Sequence, residues 1–310
     1  MFQTISKDLL FSRDDKADPR RGEQVRPVEK STDLKPGFAV AGYPDDEGIK
    51  NNGGRVGAAE GPDAIRKFLY RMVATDAAVY DVGNIQKTSP LAERHEFARK
   101  KVSEYLSQGQ RWVGLGGGHD YGYADGAGFL DWSKSQKKKP LIINFDAHLD
   151  VRKPGATINS GTPFYRLSEM GIDFDFIQIG IQRQCNSAAH MEWSRAKKHV
   201  LVTLEEYWGS GVSLSEFVTN RAGDLMLQER PCFVSVDIDA FAFPYAMGAS
   251  QSWPYGLEPK EFWPCYSLFL KRFDVRALGI YETSPPLDFD SGTAKLASLI
   301  VDTFIREAMK

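Results

Sequence analysis

The chain is poor in cysteine, with three among 310 residues: Cys185, Cys232 and Cys265. Their odd number and wide spacing form no CxxC pair. Neither a disulfide framework nor a zinc–thiolate site is indicated, and a reducing, cytoplasmic compartment is expected. Long apolar runs are missing too. No stretch approaches the ~20 apolar residues that a membrane span needs. Met1 to Asp15, broken by Asp8, Asp14 and Asp15, lacks the unbroken apolar core of a secretory signal. Net charge is small: 39 Lys and Arg stand against 41 Asp and Glu, for a net of −2. That balance argues against a general nucleic-acid surface. No repeat or low-complexity block is visible. What remains is an ordinary globular composition, 42% hydrophobic and 12% aromatic, long enough for one large α/β domain or two modest ones.

From Phe38 onward, strand-like apolar runs alternate with amphipathic helical stretches. That order predicts a mostly parallel sheet with helices on both faces. No linker divides the chain, so residues 37–310 read as one domain. Residues 1–36 are polar, carry Pro19, Pro27 and Pro36, and read as a short helix or turn followed by an irregular arm over the surface. Pro44 to Gly61 is a long loop rich in Asp, Asn and Gly, and such loops are usually functional or mobile. Ligands of parallel sheets gather outside the carboxyl ends of the strands. The loops after the strands ending near Leu115, Asn144, Ile181, Asp239 and Glu282 should therefore meet on one rim.

Three of those strand ends carry chemistry. Leu141 to Ile143 is a short apolar run that reads as a buried strand, and Asp146, His148 and Asp150 follow at alternate positions. In extended backbone such residues point to one side. Two carboxylates and an imidazole at a buried strand end call for a positive partner. A mixed oxygen and nitrogen set suits Mn, Zn or Fe(II) better than Ca or Mg. Taken alone, the triplet reads equally well as solvated loop residues. Gly116 to Asp120 (GGGHD) follows a second strand and adds His119. The same glycines also fit a plain tight turn, but the spacing matches neither a P-loop nor a dinucleotide fingerprint. Ser235 to Asp239 (SVDID) ends a third strand, with Asp237 and Asp239 on one side. Acidic residues are rarely buried without a partner. Six such donors exceed one tetrahedral site and suit two metals about 3.5–4 Å apart that position a shared water.

In this order the motifs resemble those of the ureohydrolase superfamily of arginase, agmatinase and formiminoglutamase. Its GGxH, DAHxD, SxDxD and late Glu-x-x-Pro signatures match Gly116–His119, Asp146–Asp150, Ser235–Asp239 and Glu282–Pro285. The resemblance implies a three-layer αβα sandwich, often oligomeric, and two Mn2+ ions per subunit. One ion would be held by His119, Asp146, Asp150 and Asp237, the other by Asp146, His148, Asp237 and Asp239. Several details are most similar to formiminoglutamase: the Gly54–Ala58 loop, Asp150–Arg152, Ser160–Phe164, and Gly180–Arg183 followed by Asn186. Phe164 stands where arginases carry a histidine, and no Asp-Pro pair continues the SxDxD segment.

The reaction so implied converts N-formimidoyl-L-glutamate to L-glutamate and formamide, a step of histidine degradation. Glu282 would accept from the amidinium, and Asp150 would pass a proton to the leaving amine. Arg55, Arg152 and Arg183, with Asn159, Ser160 and Thr162 as further donors, are candidates for the dicarboxylate end. Each arginine reads equally well as a surface ion pair. Trp253 and Tyr255 could wall the pocket or pack locally. His95, His190 and His199 read as surface or structural. The alternatives are an agmatinase or other guanidino-hydrolase releasing urea, a single-zinc deacetylase of related fold, and a non-catalytic relative. A small-molecule substrate, a homo-oligomer, no nucleic acid and no membrane complete the expectation.

Overall fold

The computed structural model describes residues 1–28 and 34–308. The strands are β1 (Phe2–Gln3), β2 (Arg26–Pro27), β3 (Phe38–Gly42), β4 (Val79–Ile85), β5 (Arg111–Leu115), β6 (Leu141–Phe145), β7 (Asp175–Ile181), β8 (Val200–Thr203), β9 (Pro231–Asp237) and β10 (Asp274–Tyr281). The helices are α1 (Arg21–Gln24), α2 (Glu47–Asn51), α3 (Gly61–Leu69), α4 (Leu91–Ser107), α5 (Tyr121–Ser133), α6 (Pro163–Ser168), α7 (Ala188–Ala196), α8 (Leu204–Ser210), α9 (Leu214–Ala222), α10 (Pro259–Arg272) and α11 (Gly292–Glu307).

The sheet runs β1-β4-β3-β5-β10-β9-β6-β7-β8, with β2 also paired to β4. Among the described residues every strand pairing is parallel except β1 with β4. The central strands are buried on both faces, which is why they read as near-continuous apolar runs. Their period of two still sorts the core into two slabs. Phe38, Val40, Leu141, Ile143 and Phe145 face one slab, built with Ile65 of α3, Val218 of α9, Phe269 of α10 and Ile300 of α11. Ala39, Ala41, Ile142 and Phe233 face the other, with Val102 of α4, Phe129 of α5 and Leu167 of α6. This is the expected three-layer sandwich.

The N-terminal arm departs from the expectation of a draped, irregular segment. Phe2 and Gln3 pair antiparallel with Ile85 and Asn84, and Arg26 and Pro27 pair parallel with Tyr80 and Asp81. Together they cover the open edge of β4, an edge that would otherwise expose unpaired backbone groups. Arg21 is buried and ion-paired to Asp302 of α11. The part of the arm over residues 29–33 lies outside the described residues. Two further departures are short helices. The Pro44–Gly61 loop contains α2 and a 3-10 turn at Ala58–Glu60, and α8 follows β8 directly. Among the described residues no helix is long and apolar enough to cross a membrane.

Candidate metal centre

Four neighbouring strands, β5, β10, β9 and β6, end beside one another, and each delivers part of the site. The turn after β5 is gripped on both sides. The Gly117 amide donates to Tyr43 O at 2.8 Å, the Gly118 amide to Asp45 O at 2.9 Å, and the Glu282 amide to Gly117 O at 2.8 Å. A Cβ at Gly117 would lie 1.8 Å from Asp45 O, so the approach requires glycine. The turn presents the fully buried His119 to the carboxylates. Its Nδ1 lies 3.1 Å from Asp146, 3.0 Å from Asp150 and 3.2 Å from Asp237. Its Nε2 is 2.9 Å from Ser235 Oγ, and its ring stacks on Tyr281 at 4.8 Å. With Nε2 engaged by Ser235, Nδ1 is the ring nitrogen turned to the carboxylates. That atom makes no well-formed hydrogen bond. Three oxygens and a nitrogen that face one another without bonding fit a cation at their centre.

The run after β6 reaches this arrangement by a route other than alternation. The strand ends at Phe145, and Asp150 has a left-handed φ of +49°. Asp146 is anchored by its amide to Ile179 O at 2.9 Å. Its Oδ1 accepts from the His148 amide at 2.7 Å. Asn186 pins the loop beyond: Oδ1 accepts from the Leu149 amide, and Nδ2 donates to Ala147 O and Gln182 O, each at 2.8 Å. His148 Nδ1 then sits 3.1 Å from Asp239 Oδ2 and 3.5 Å from Asp146 Oδ1. The extended reading of Asp237 and Asp239 also fails. The strand stops at Asp237, and Asp239 lies in a 3-10 turn whose amide donates to Asp237 Oδ1 at 2.9 Å.

Two groups of potential ligands result. His119, Asp146, Asp150 and Asp237 form one; Asp146, His148 and Asp239 form the other. Asp146 belongs to both. Asp237 joins only the first, where the sequence motif placed it in both. Electrostatics point the same way. Burial pushes up the pKa of Asp150, Asp237 and Asp239, and neighbouring carboxylates push it further, Asp150 to about 6. Burial also opposes ionisation of Asp146, but His119 and His148 outweigh it and hold that carboxyl below its usual range. Glu282 has a φ of +65°, and its Oε1 accepts from the His119 amide at 3.0 Å. Burial, together with the charge of Asp239, raises it to about 8.

Above these groups lies a cavity of about 230 Å³, walled by Asn52, Gly54, Arg152, Ser160, Ser250 and Gln251, with Cys185 beside the potential ligands. Of the residues expected to bind substrate, Arg152 and Ser160 line it. Arg55 does not. Its guanidinium is spent on Ser250 O and Ala249 O, each at 3.0 Å, and so ties two loops of the wall together. Arg183 points to solvent, 4.0 Å from Glu205. Thr162 is buried and donates to Asn159 O at 2.7 Å, while Asn159 Oδ1 accepts from the Gly161 amide. Both shape the Ser160 turn, and Thr162 does not cap α6 by its side chain. Trp253 and Tyr255 lie off the cavity, Tyr255 packing edge-on against Trp208. His95 is buried and structural, held between Asp120 at 2.8 Å and Arg166 at 3.0 Å. Asn52, Ser250 and Gln251 went unnoticed in the sequence; only the length of the Pro44–Gly61 loop hinted at the first.

Comparison with known proteins agrees with this geometry. The Arginase family model matches residues 36–306. A formimidoylglutamase from Hahella chejuensis is 33% identical over 311 residues, covering 95% of this chain and 94% of that protein. One from Staphylococcus carnosus is 28% identical over 316 residues, covering 98% of this chain and 100% of its own length. The crystal structure of Trypanosoma cruzi formiminoglutamase with Mn2+2 superposes with a TM-score of 0.80 at 28% identity, covering 93% of this chain and 97% of that one. With the four motifs at the ends of adjoining strands, and the family model matched from before β3 into the last helix, the chain belongs to the Arginase family.

Proposed function

We propose that this chain hydrolyses N-formimidoyl-L-glutamate to L-glutamate and formamide, using two Mn2+ ions per subunit held by His119, Asp146, His148, Asp150, Asp237 and Asp239. The observation that carries the reading is the orphaned Nδ1 of His119, facing three carboxylates in a buried cradle. The names of the relatives supply the substrate, and the Trypanosoma cruzi structure supplies the metal. When bound, such a pair of ions acidifies a shared water and stabilises the charge that develops in the transition state. Glu282, ionised by the cationic amidinium that it faces, accepts from it and orients the formimidoyl carbon. Water oxygen adds to that carbon, and the bond to the glutamate nitrogen breaks. Asp150 takes the proton that the water loses and delivers it to the departing amine, and the formimidoyl nitrogen leaves in formamide. Arg152 and Ser160 meet the carboxylates, while Arg55, Asn159 and Thr162 act on the wall that holds them.

The guanidino-hydrolase alternative requires a wall that tolerates a cationic tail, and Arg152 opposes one. The same reading includes a homo-oligomer in the cytoplasm, and an arm that folds together with a single catalytic domain. The test is an assay of the purified chain with Mn(II). Formamide should appear from formimidoylglutamate, and no urea from agmatine or arginine. His119→Ala and Asp237→Ala should each lower the rate more than about 100-fold and bring bound manganese below two per chain. Urea release without formamide would overturn the assignment.

A further inference from the structure

Among the described residues lining the cavity, Arg152 alone carries a fixed positive charge. Its long side chain reaches toward solvent, and ordering such a chain costs rotamer entropy. Something has to hold it over the site. We propose that Asn52 is the positioning residue that fixes the substrate class, by seating Arg152 and Ser160 as one carboxylate-binding wall. The inference deepens the formimidoylglutamate reading and rests on it.

The amide of Asn52 is engaged at both ends. Its Oδ1 accepts from Arg152 Nη1 at 2.6 Å, and its Nδ2 donates to Ser160 Oγ at 3.0 Å. A guanidinium only donates, so this orientation of the amide is fixed by chemistry. Ser160 Oγ, having accepted from Asn52, keeps its own proton to offer to a bound oxygen. The remaining N–H groups of Arg152 form a fork suited to a carboxylate.

Asn52 itself is held firmly. It ends α2, with its amide shared between Gly48 O at 3.1 Å and Ile49 O at 3.0 Å. The facing turn is stitched to the same helix, the Ser160 amide donating to Gly48 O at 3.1 Å and Asn51 Nδ2 to Ile158 O at 2.9 Å. The neutrality of the amide matters as much as its geometry. A carboxylate at this position would hold Arg152 equally well but cancel its charge toward the substrate.

Asn52→Asp keeps an acceptor for Arg152 but cancels its charge, and its second oxygen takes the Ser160 proton that the wild type offers to substrate. With formimidoylglutamate its KM should rise about tenfold or more while kcat stays within about threefold. Asn52→Ala, which frees Arg152 without cancelling it, should raise KM by a smaller factor. Manganese content should match wild type in both. In parallel, calorimetric titration with L-glutamate should show binding to wild type weakened about tenfold in Asn52→Asp. A KM and a glutamate affinity within about twofold of wild type for Asn52→Asp would overturn the inference alone. If wild type forms no formamide, the proposed reaction falls, and the glutamate titration still decides the role of Asn52. A wild type that neither forms formamide nor binds glutamate ends both.

Discussion

Asp125 shows what a single buried carboxyl does beneath the site. It lies within α5, fully buried, and accepts from the Tyr43 hydroxyl, from Trp112 Nε1 at 2.9 Å and from the Tyr281 hydroxyl at 2.6 Å. Tyr281 in turn stacks on His119. Burial pushes Asp125 up to about 6, against the three hydrogen bonds, which favour its charge. The folded state therefore holds this proton more tightly than the unfolded chain, whose ordinary value is 3.8. Between those two values the folded state binds more protons, so this group's contribution to stability falls as pH rises and stays low above about 6. The cost at neutral pH is on the order of 3 kcal/mol. Asp125→Asn keeps the acceptor for Tyr43 and Trp112, and the Tyr281 hydroxyl can turn to accept from the new amide. In urea titrations the stability of Asp125→Asn relative to wild type should fall as pH is lowered from 7 to 5. A pH-independent difference would show that Asp125 does not titrate there. None of this was legible in the sequence, because the three donors come from just past β3, from β5 and from β10 and meet only in the folded core. The metal-ligating types were legible, because charge at the end of an apolar strand is costly unless it is used. Their route together was not, since it depends on the left-handed turn at Asp150 and on the anchoring amide of Asn186.

At the scale of elements, long runs with a clear period declared themselves, and short pieces did not. The strand end near Leu115 falls where the sequence places it, since an apolar run that meets three glycines has only one place to stop. α2, α8, β1 and β2 are too short for any period to show. They exist because neighbouring elements hold them, as β4 holds the two strands of the arm. The turn from β5 into α5 matters most for the site. Tyr43, Asp45 and Glu282 all bond its backbone, so it couples the ends of β3, β5 and β10. Gly117→Ala drives a Cβ against Asp45 O, a backbone atom that cannot rotate away. We expect a loss of about 1–3 kcal/mol from the strain, with His119 and Glu282 displaced together. Thermal unfolding would measure the first effect, and manganese content at fixed free metal the second. A variant that binds two ions and melts like wild type would show that the turn yields more easily than its packing implies.

At the scale of the molecule, the chain is nearly neutral, yet it gathers four carboxylates of one cradle, and Glu282 beside them, at the ends of its most buried strands. The sheet order explains how. β10, last in sequence, inserts between β5 and β9, so strands far apart along the chain end side by side. Hydrophobic burial on both faces fixes those strand ends whether or not a cation is present, and the unfavourable charge is the consequence. Asp150, Asp237 and Asp239 are all pushed toward protonation by burial and by the charge of Asp146. A cation that binds the folded cradle and not the unfolded chain reverses that cost. By mass action each site adds about 2.7 kcal/mol when free metal is 100 times its dissociation constant. Chain stripped with a chelator should therefore unfold several degrees below chain supplied with Mn(II). Mg(II) at the same concentration should restore less, because two imidazoles suit the softer ion. His119→Ala, which removes a donor from one group only, should lose part of the gain, and Asp146→Ala, which serves both groups, should lose nearly all of it. Equal melting temperatures with chelator and with manganese would mean that the cradle is satisfied without a cation, and the two-metal reading would have to be abandoned.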